Sequence, residues 1–133
     1  MKRTLQTLVI IILFGLESCH PNDDNPTHFK IINSSIKSIY YAFSYSYPDT
    51  SIYRIDNPPY FNGNKTAKIN SKDSTSVRLI VLGLNKTTQM FIFDADVVEN
   101  NPWDSIIVHN NVLKRYQFSE SDLKNWNWTI KYP

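Results

Sequence analysis

The sequence predicts a mainly β fold, an antiparallel β-sandwich-like domain with two short helices near the C-terminus. Short segments in which apolar and polar residues alternate recur along the chain, which is the pattern of half-buried strands. Most of these segments are joined by turn-forming residues, so neighbouring strands should pair antiparallel. A chain of 133 residues is of the length expected for one domain.

The longest alternating segment, Ile39 to Tyr47, gives the clearest strand, with one aromatic face and one face of smaller or polar residues. We expect its odd-numbered residues to face the core and Tyr40 to face away. The remaining alternating segments predict strands over residues 29–32, 51–55, 66–69, 76–82, 89–94, 112–118 and 127–132.

Two segments predict the short helices. Pro102 suits a first helical turn, and the apolar residues of the following segment, Trp103 to His109, recur at helical spacing. Ser119 is followed three residues later by Asp122, which predicts a capping box at the start of the second helix.

The N-terminus has the three parts of a secretory signal. Lys2 and Arg3 precede an uninterrupted apolar run, Leu8 to Leu16, and polar residues follow at once. As a helix this run would be about 14 Å long, which is half the ~30 Å thickness of the hydrocarbon core of a membrane. A stable membrane-spanning helix is therefore disfavoured. We therefore predict that residues 1–18 are a signal peptide. The alternative is a buried helix of the fold.

Leu16-Glu17-Ser18-Cys19 resembles the lipobox of bacterial lipoproteins, in which an apolar residue stands three positions before the cysteine and a small residue directly before it. The resemblance implies cleavage before Cys19 and attachment of diacylglycerol to its thiol. Cys19 is the single cysteine of the chain, and an unpaired exported thiol otherwise has no explanation. The alternative is an ordinary signal peptide with an incidental cysteine.

Residues 19–27 are polar and contain two prolines, so we predict a disordered tether that leads to a single mostly-β domain over residues 28–133. Asp23 and Asp24 within this tether resemble the acidic surface-export signal of Bacteroidota lipoproteins. The resemblance implies a lipid anchor in the outer membrane with the domain on the cell surface. The alternatives are a position facing the periplasm and a linker that is merely acidic.

The C-terminal segment carries a second resemblance. Its residues are Leu113-Lys114-Arg115-Tyr116, Ser119, Asp122-Leu123 and Asn127-Trp128-Thr129-Ile130-Lys131-Tyr132-Pro133, preceded by Pro102-Trp103-Asp104 and Ile106. Together with the lipobox, they resemble small Bacteroidota outer-membrane lipoproteins of uncharacterised function. This resemblance implies no activity and no catalytic residues.

Composition excludes several function classes. The formal charge of +2 and a single basic pair, Lys114-Arg115, argue against nucleic-acid binding. Three glycines cannot form a glycine-rich phosphate loop, and we expect no cofactor. His109, Asp104 and Ser105 contain the residue types of a hydrolytic set, but one or two turns of a single helix rarely align a nucleophile, a base and an orienting group. We therefore predict no catalytic residues and no enzyme activity.

Aromatic residues are the candidates for ligand contact. Tyrosine is enriched in binding surfaces, and an exposed Tyr40 beside Tyr53 or Tyr60 of the following loop is the preferred patch. Trp126, Trp128 and Tyr132 would suit stacking against sugar rings, but a final strand also needs an inward face, and burial in the core is the favoured interpretation.

Two further groups of residues are weighed. Asp94, Asp96 and Glu99 follow a strand and carry the oxygen ligands that Ca²⁺ prefers, but they lack EF-hand spacing, and turn-forming aspartates of a solvated loop are the favoured interpretation. We thus predict no metal. Asp73-Ser74-Thr75 and Asp104-Ser105-Ile106 resemble the three-residue O-glycosylation sites of exported Bacteroidota proteins. The first copy should be the more accessible.

These observations predict an envelope lipoprotein with a non-catalytic binding role. The N-terminal lipid would attach it to the membrane. Its ligand would be a glycan or an envelope protein that contacts the tyrosine-rich loops. The alternative is a structural or inhibitory envelope protein that acts on one partner protein.

Overall fold

The computed structural model describes residues 27–52, 67–79 and 87–133. The predicted signal peptide, Cys19, the Asp23-Asp24 pair and both loop tyrosines, Tyr53 and Tyr60, lie outside these residues. The described strands are β1 (His28–Asn33), β2 (Ile39–Ser44), β3 (Lys68–Ile69), β4 (Ser74–Arg78), β5 (Thr88–Asp94), β6 (Lys114–Phe118) and β7 (Thr129–Tyr132). The helices are α1 (Ala95–Asn100), α2 (Trp103–Val108) and α3 (Glu120–Asn125).

The strands form two sheets, as a sandwich-like fold requires. One sheet has three strands in the order β4-β1-β7, and the other has four in the order β3-β2-β5-β6. All pairings are antiparallel except β1 with β7, which is parallel. The mainly β, antiparallel-rich prediction is therefore confirmed. A parallel pair cannot be joined by a tight hairpin, and here the chain crosses the other sheet before it returns as β7.

The first core lies between the two sheets. Alternate residues of β1, Phe29 and Ile31, face it, opposite Val77 of β4 and Ile130 of β7. The larger sheet contributes Ile39, Phe43, Ile69, Met90, Ile92 and Phe118, and α3 contributes Leu123. The rings of Phe29 and Phe118 meet edge to face at 5.9 Å.

A second core lies on the other face of the four-stranded sheet. Helices α1 and α2 cover that face and bury Val98 and Ile106 against Phe91 and Phe93 of β5. The central strands β2 and β5 are consequently buried on both faces, and the domain has three layers: small sheet, large sheet and helices. Among the described residues, no helix is both long enough and apolar enough to cross a membrane.

Both predicted helices form at their predicted positions. Helix α2 begins at Trp103, directly after Pro102. At the start of α3, the Ser119 hydroxyl accepts from the Asp122 N–H, and the Asp122 carboxylate accepts from the Ser119 N–H at 2.8 Å, which completes the capping box. Helix α1 was not predicted, because its first carboxylates were interpreted as part of a loop.

Candidate functional site

The predicted tyrosine patch is wrong at Tyr40. This side chain is fully buried in the second core, where helix α1 covers the face of β2 that alternation alone assigned to solvent. Its hydroxyl donates to Glu99 Oε1 of α1 at 3.0 Å. Tyr40 is therefore a structural residue and cannot contact a ligand at the surface.

Two of the three carboxylates weighed as a weak calcium site, those of Asp94 and Glu99, each have a lysine partner of their own. Asp94 Oδ1 accepts from the Asp96 N–H at 2.9 Å and caps α1, while Asp94 Oδ2 pairs with Lys37 Nζ at 3.0 Å. Desolvation alone would raise the pKa of Asp94, but the bonds from Lys37 and from backbone N–H groups hold it below its ordinary value. Glu99 pairs with Lys68 Nζ at 2.7 Å. No three His, Cys, Asp or Glu side chains within the described ranges are grouped to hold a metal ion.

The tryptophans divide between core and surface. Trp128 and Tyr132 pack against the first core, whereas Trp126 is 42% exposed. Trp126 ends α3, and its ring lies 6.4 Å from that of Phe118. The next two residues have positive φ, and the Asn127 and Trp128 N–H groups donate to the carbonyls of Lys124 and Leu123. This is a Schellman motif, so β7 begins two residues later than predicted.

The predicted modification serines lie in different surroundings. Ser74 is the half-buried first residue of β4, and its N–H donates to the carboxylate of the exposed Asp73 at 2.7 Å. Ser105 is half-buried on α2, and His109 Nδ1 lies 2.8 Å from its carbonyl oxygen and 3.4 Å from its hydroxyl. No carboxylate hydrogen-bonds the His109 ring within the described part of the chain. The ring lies at the C-terminal end of α2, against Ser105.

An open cleft of about 520 Å³ lies beside β6, the edge strand of the larger sheet. One wall is the segment that follows β2. Its backbone is tied to the sheet, because Gln89 Nε2 donates to the Asp49 carbonyl at 2.7 Å and Arg115 Nη1 donates to the Thr50 carbonyl at 3.4 Å. Ile52, at the end of this segment, is buried in the second core. The cleft therefore has one wall fixed by hydrogen bonds and by packing.

The lining of this cleft combines cations, hydroxyls and apolar groups. Lys114 and Arg115 are exposed along β6, and Phe91, which is itself buried, forms part of the base. The other lining residues are Thr50, Ser51, Asn110, Val112 and Leu113. Arg115 is paired with Phe91 on the cleft side of the sheet, whereas Lys114 is paired with Ile92 on the other side and its Nζ lies 5.2 Å from the Tyr116 ring centroid. Such a lining suits a polar ligand that bears negative charge, since Arg115 supplies charge-assisted hydrogen bonds. We call this feature the β6 cleft.

Sequence reasoning missed the β6 cleft, although it noted one of its parts. Lys114-Arg115 was recognised only as the single basic pair, and Val112 to Phe118 only as a strand. Nothing local indicates that the segment after β2 folds back against β6, because the Gln89–Asp49 bond joins residues 40 positions apart.

Comparison of the chain with protein-family models, with curated proteins and with solved structures found no match.

Proposed function

We propose that this protein is an envelope lipoprotein with a non-catalytic binding role and that the β6 cleft receives its ligand. The single observation that carries the ligand site is the position of Arg115 beside hydroxyl groups and an apolar base in one open cleft. The lipid anchor rests on the sequence, on the apolar run before Cys19 and on its resemblance to a lipobox.

The ligand class follows from the lining. A saccharide presents hydroxyl groups to Thr50, Ser51 and Asn110, and its C–H faces suit apolar surface. Arg115 favours a saccharide that bears carboxylate or sulfate, because an ionised acceptor roughly doubles the strength of a hydrogen bond. We therefore propose an acidic glycan.

The test is a glycan array probed with the full chain, followed by titration of acidic glycans and their neutral analogues. Lys114→Gln with Arg115→Gln should weaken binding of an acidic glycan at least about tenfold, since a hydrogen bond to a charged group contributes about 1.5–3 kcal/mol. Arg78→Gln with Lys131→Gln removes the same two charges from another surface and is the matched control. Equal binding of neutral and acidic glycans, or equal loss in the two variants, would contradict the assignment.

A protein partner is the second candidate, and exposed apolar side chains favour it. Val108 is 70% exposed at the end of α2, and Leu113, which lines the β6 cleft, is 50% exposed. Single exposed apolar residues are common, so two of them support only a small contact. Recovery of one envelope protein in stoichiometric amount with the wild-type chain, and its loss in Val108→Ser with Leu113→Ser, would favour this alternative.

The anchor has its own test. Cys19→Ala should give an unprocessed or soluble form, and a variant that still fractionates with membranes at mature mass would contradict lipidation at this thiol. For surface display, protease added to intact cells should degrade the domain, and Asp23→Ala with Asp24→Ala should protect it. An unchanged protease pattern would place the domain on the periplasmic side or assign the export signal elsewhere.

A further inference from the structure

The solvent-facing side of the three-stranded sheet carries a cluster of cations. Since Phe29 and Ile31 face the first core, the alternate residues of β1 face outward, and the paired strands follow the same register. The outward side chains are His28, Lys30, Ile32, Ser74, Ser76, Arg78, Thr129 and Lys131. None of the three strands contains an Asp or a Glu.

The three strong cations are neighbours on this face. Lys30 lies opposite Ser76 on one side and opposite Thr129 on the other, so Arg78 and Lys131 occupy the diagonal positions next to it. Diagonal neighbours in a sheet are roughly 7–8 Å apart. All three cations are exposed. We call this set, Lys30, Arg78 and Lys131, the basic face.

Two described lysines near the larger sheet have carboxylate partners, since Lys37 of the β1–β2 turn pairs with Asp94 and Lys68 of β3 pairs with Glu99. No carboxylate within 4 Å pairs with a cation of the basic face among the described residues. Among the described residues, Asp73 precedes β4 at the other end of the sheet from Thr27 and accepts a hydrogen bond from the Ser74 N–H.

We propose that the basic face docks the domain onto the anionic headgroups of the membrane that holds its anchor. The proposal rests on the proposed lipid anchor. The carbonyl of Thr27 accepts from the Leu79 N–H at 2.9 Å, so the chain enters the domain where β1 pairs with β4, beside Arg78. The nine residues from Cys19 to Thr27 reach at most ~30 Å, which keeps this sheet near the lipid.

The layer order makes the docked orientation compatible with ligand binding. The β6 cleft includes Phe91 and Val112, which belong to the helix-covered face of the larger sheet. The basic face belongs to the opposite outer layer. A domain that rests on its small sheet therefore presents the β6 cleft away from the bilayer, where a soluble glycan reaches it.

The main experiment is lysine footprinting of the anchored full chain in vesicles. On phosphatidylcholine vesicles with one third phosphatidylglycerol, an amine-acylating reagent should modify Lys30 and Lys131 several-fold more slowly than on phosphatidylcholine alone. Lys68 of the same molecule, which lies beside Glu99 on the helix-covered side of the larger sheet, is the internal control and should react equally on both. High salt should abolish the protection, because headgroup attraction is screened. Equal reactivity of Lys30 and Lys131 on both vesicles would overturn the proposal.

A second arm separates docking from the anchor and from the cleft. Each basic residue near an anionic surface strengthens attachment about fivefold, so two contribute about 25-fold. In the full chain with Cys19→Ala, Arg78→Gln with Lys131→Gln should weaken flotation with anionic vesicles by about that factor, while Lys114→Gln with Arg115→Gln should not. The second pair weakens glycan binding instead, so failure of docking and failure of the proposed ligand site give different results.

A soluble polyanion is the competing occupant. If inorganic polyphosphate protected Lys30 and Lys131 while anionic vesicles did not, the basic face would belong to an acidic polymer and lipid docking would be overturned. Equal loss of flotation in the two charge pairs would overturn it as well, because attraction would then depend on net charge and on no particular face.

Discussion

Asn33 is fully buried at the end of β1, and its side chain joins two turns of the fold. Nδ2 donates to the carbonyls of Lys37 at 2.8 Å, Asn70 at 3.0 Å and Ile69 at 3.3 Å. Oδ1 accepts from the N–H of Ser35 at 3.0 Å and from its hydroxyl at 2.7 Å. One amide therefore satisfies backbone groups of the β1–β2 turn and of the β3–β4 turn.

Asn33→Ala removes all of these bonds and leaves carbonyl oxygens without their donor. Each lost hydrogen bond costs about 1 kcal/mol, and a buried group left without a partner costs up to about 3 kcal/mol. Two amide hydrogens shared among three carbonyls limit the loss, so we expect a decrease of about 3 kcal/mol in the free energy of unfolding. That is a large part of the 5–15 kcal/mol that typically stabilises a domain.

Urea unfolding monitored by tryptophan fluorescence measures this loss. Ser35→Ala is the matched control, because it removes one hydroxyl from the same turn while the Asn33 donors stay in place. It should cost about 1 kcal/mol or less. If the Asn33 variant lost no more than the Ser35 variant, the argument that this amide joins the two turns would be wrong.

The variant Asn33→Asp tests the direction in which the free energy of unfolding changes with pH. Its carboxylate would face three carbonyl oxygens, which raises its pKa in the folded state above the ordinary value of about 3.9. A raised folded pKa means that the folded protein binds the proton more tightly than the unfolded chain. Relative to wild type, the variant should thus recover stability as the pH falls and lose it as the pH rises through the folded pKa. A difference independent of pH would contradict this.

Three further predictions follow from the described contacts. Tyr40→Phe should lower the free energy of unfolding by about 1.5 kcal/mol, because the hydrogen bond to Glu99 is lost, and should leave glycan binding unchanged. A variant that lost glycan binding while its stability in urea stayed unchanged would show that Tyr40 contacts the ligand. Thr88→Val should stabilise the fold by about 1 kcal/mol in urea unfolding, because the Thr88 hydroxyl is buried and has no partner within the described residues. The hydrogen bonds from Ser119 hold the pKa of Asp122 below its ordinary value. The stability that they contribute is therefore present at pH values above the ordinary pKa and is lost as the pH falls through the lower folded pKa. Asp122→Asn should remove this pH dependence from a titration of the free energy of unfolding with acid.

Local signals in the sequence predicted the elements whose cause is local. The capping box of α3 needs only Ser119 and Asp122, which are three residues apart, and it forms as expected. Pro102 likewise marks the start of α2. Strand positions follow from alternation, with ends that differ by a few residues, except for the strand predicted over 51–55, whose described residues 51 and 52 are not in a strand. The start of β7 moved because the Schellman motif of α3 uses Asn127 and Trp128.

Non-local contacts account for what the sequence left unpredicted. Asp94 followed by Asp96 is compatible with a turn, a metal site or a helix cap, and only the fold supplies Lys37 as the partner that decides among them. Alternation in β2 showed that its two faces differ, but it cannot show whether something covers the second face. The nearly continuous apolar run of β5, Met90 to Phe93, was the available signal that the larger sheet is buried on both sides.

Burial of the larger sheet on both sides decides where a binding role can reside. The aromatic residues of the two central strands pack in the cores, so a contact surface has to come from strand edges, turns, the outer side of the helices and the outer face of the small sheet. In the described part of the chain these places carry two separate cationic groups, the Arg115 guanidinium in the β6 cleft and the three residues of the basic face. Because the two groups lie on opposite sides of the domain, one orientation on the membrane can place the basic face against the bilayer and the β6 cleft toward solution. The proposed ligand site and the proposed docking face are therefore mutually consistent, and the two matched charge pairs test them independently.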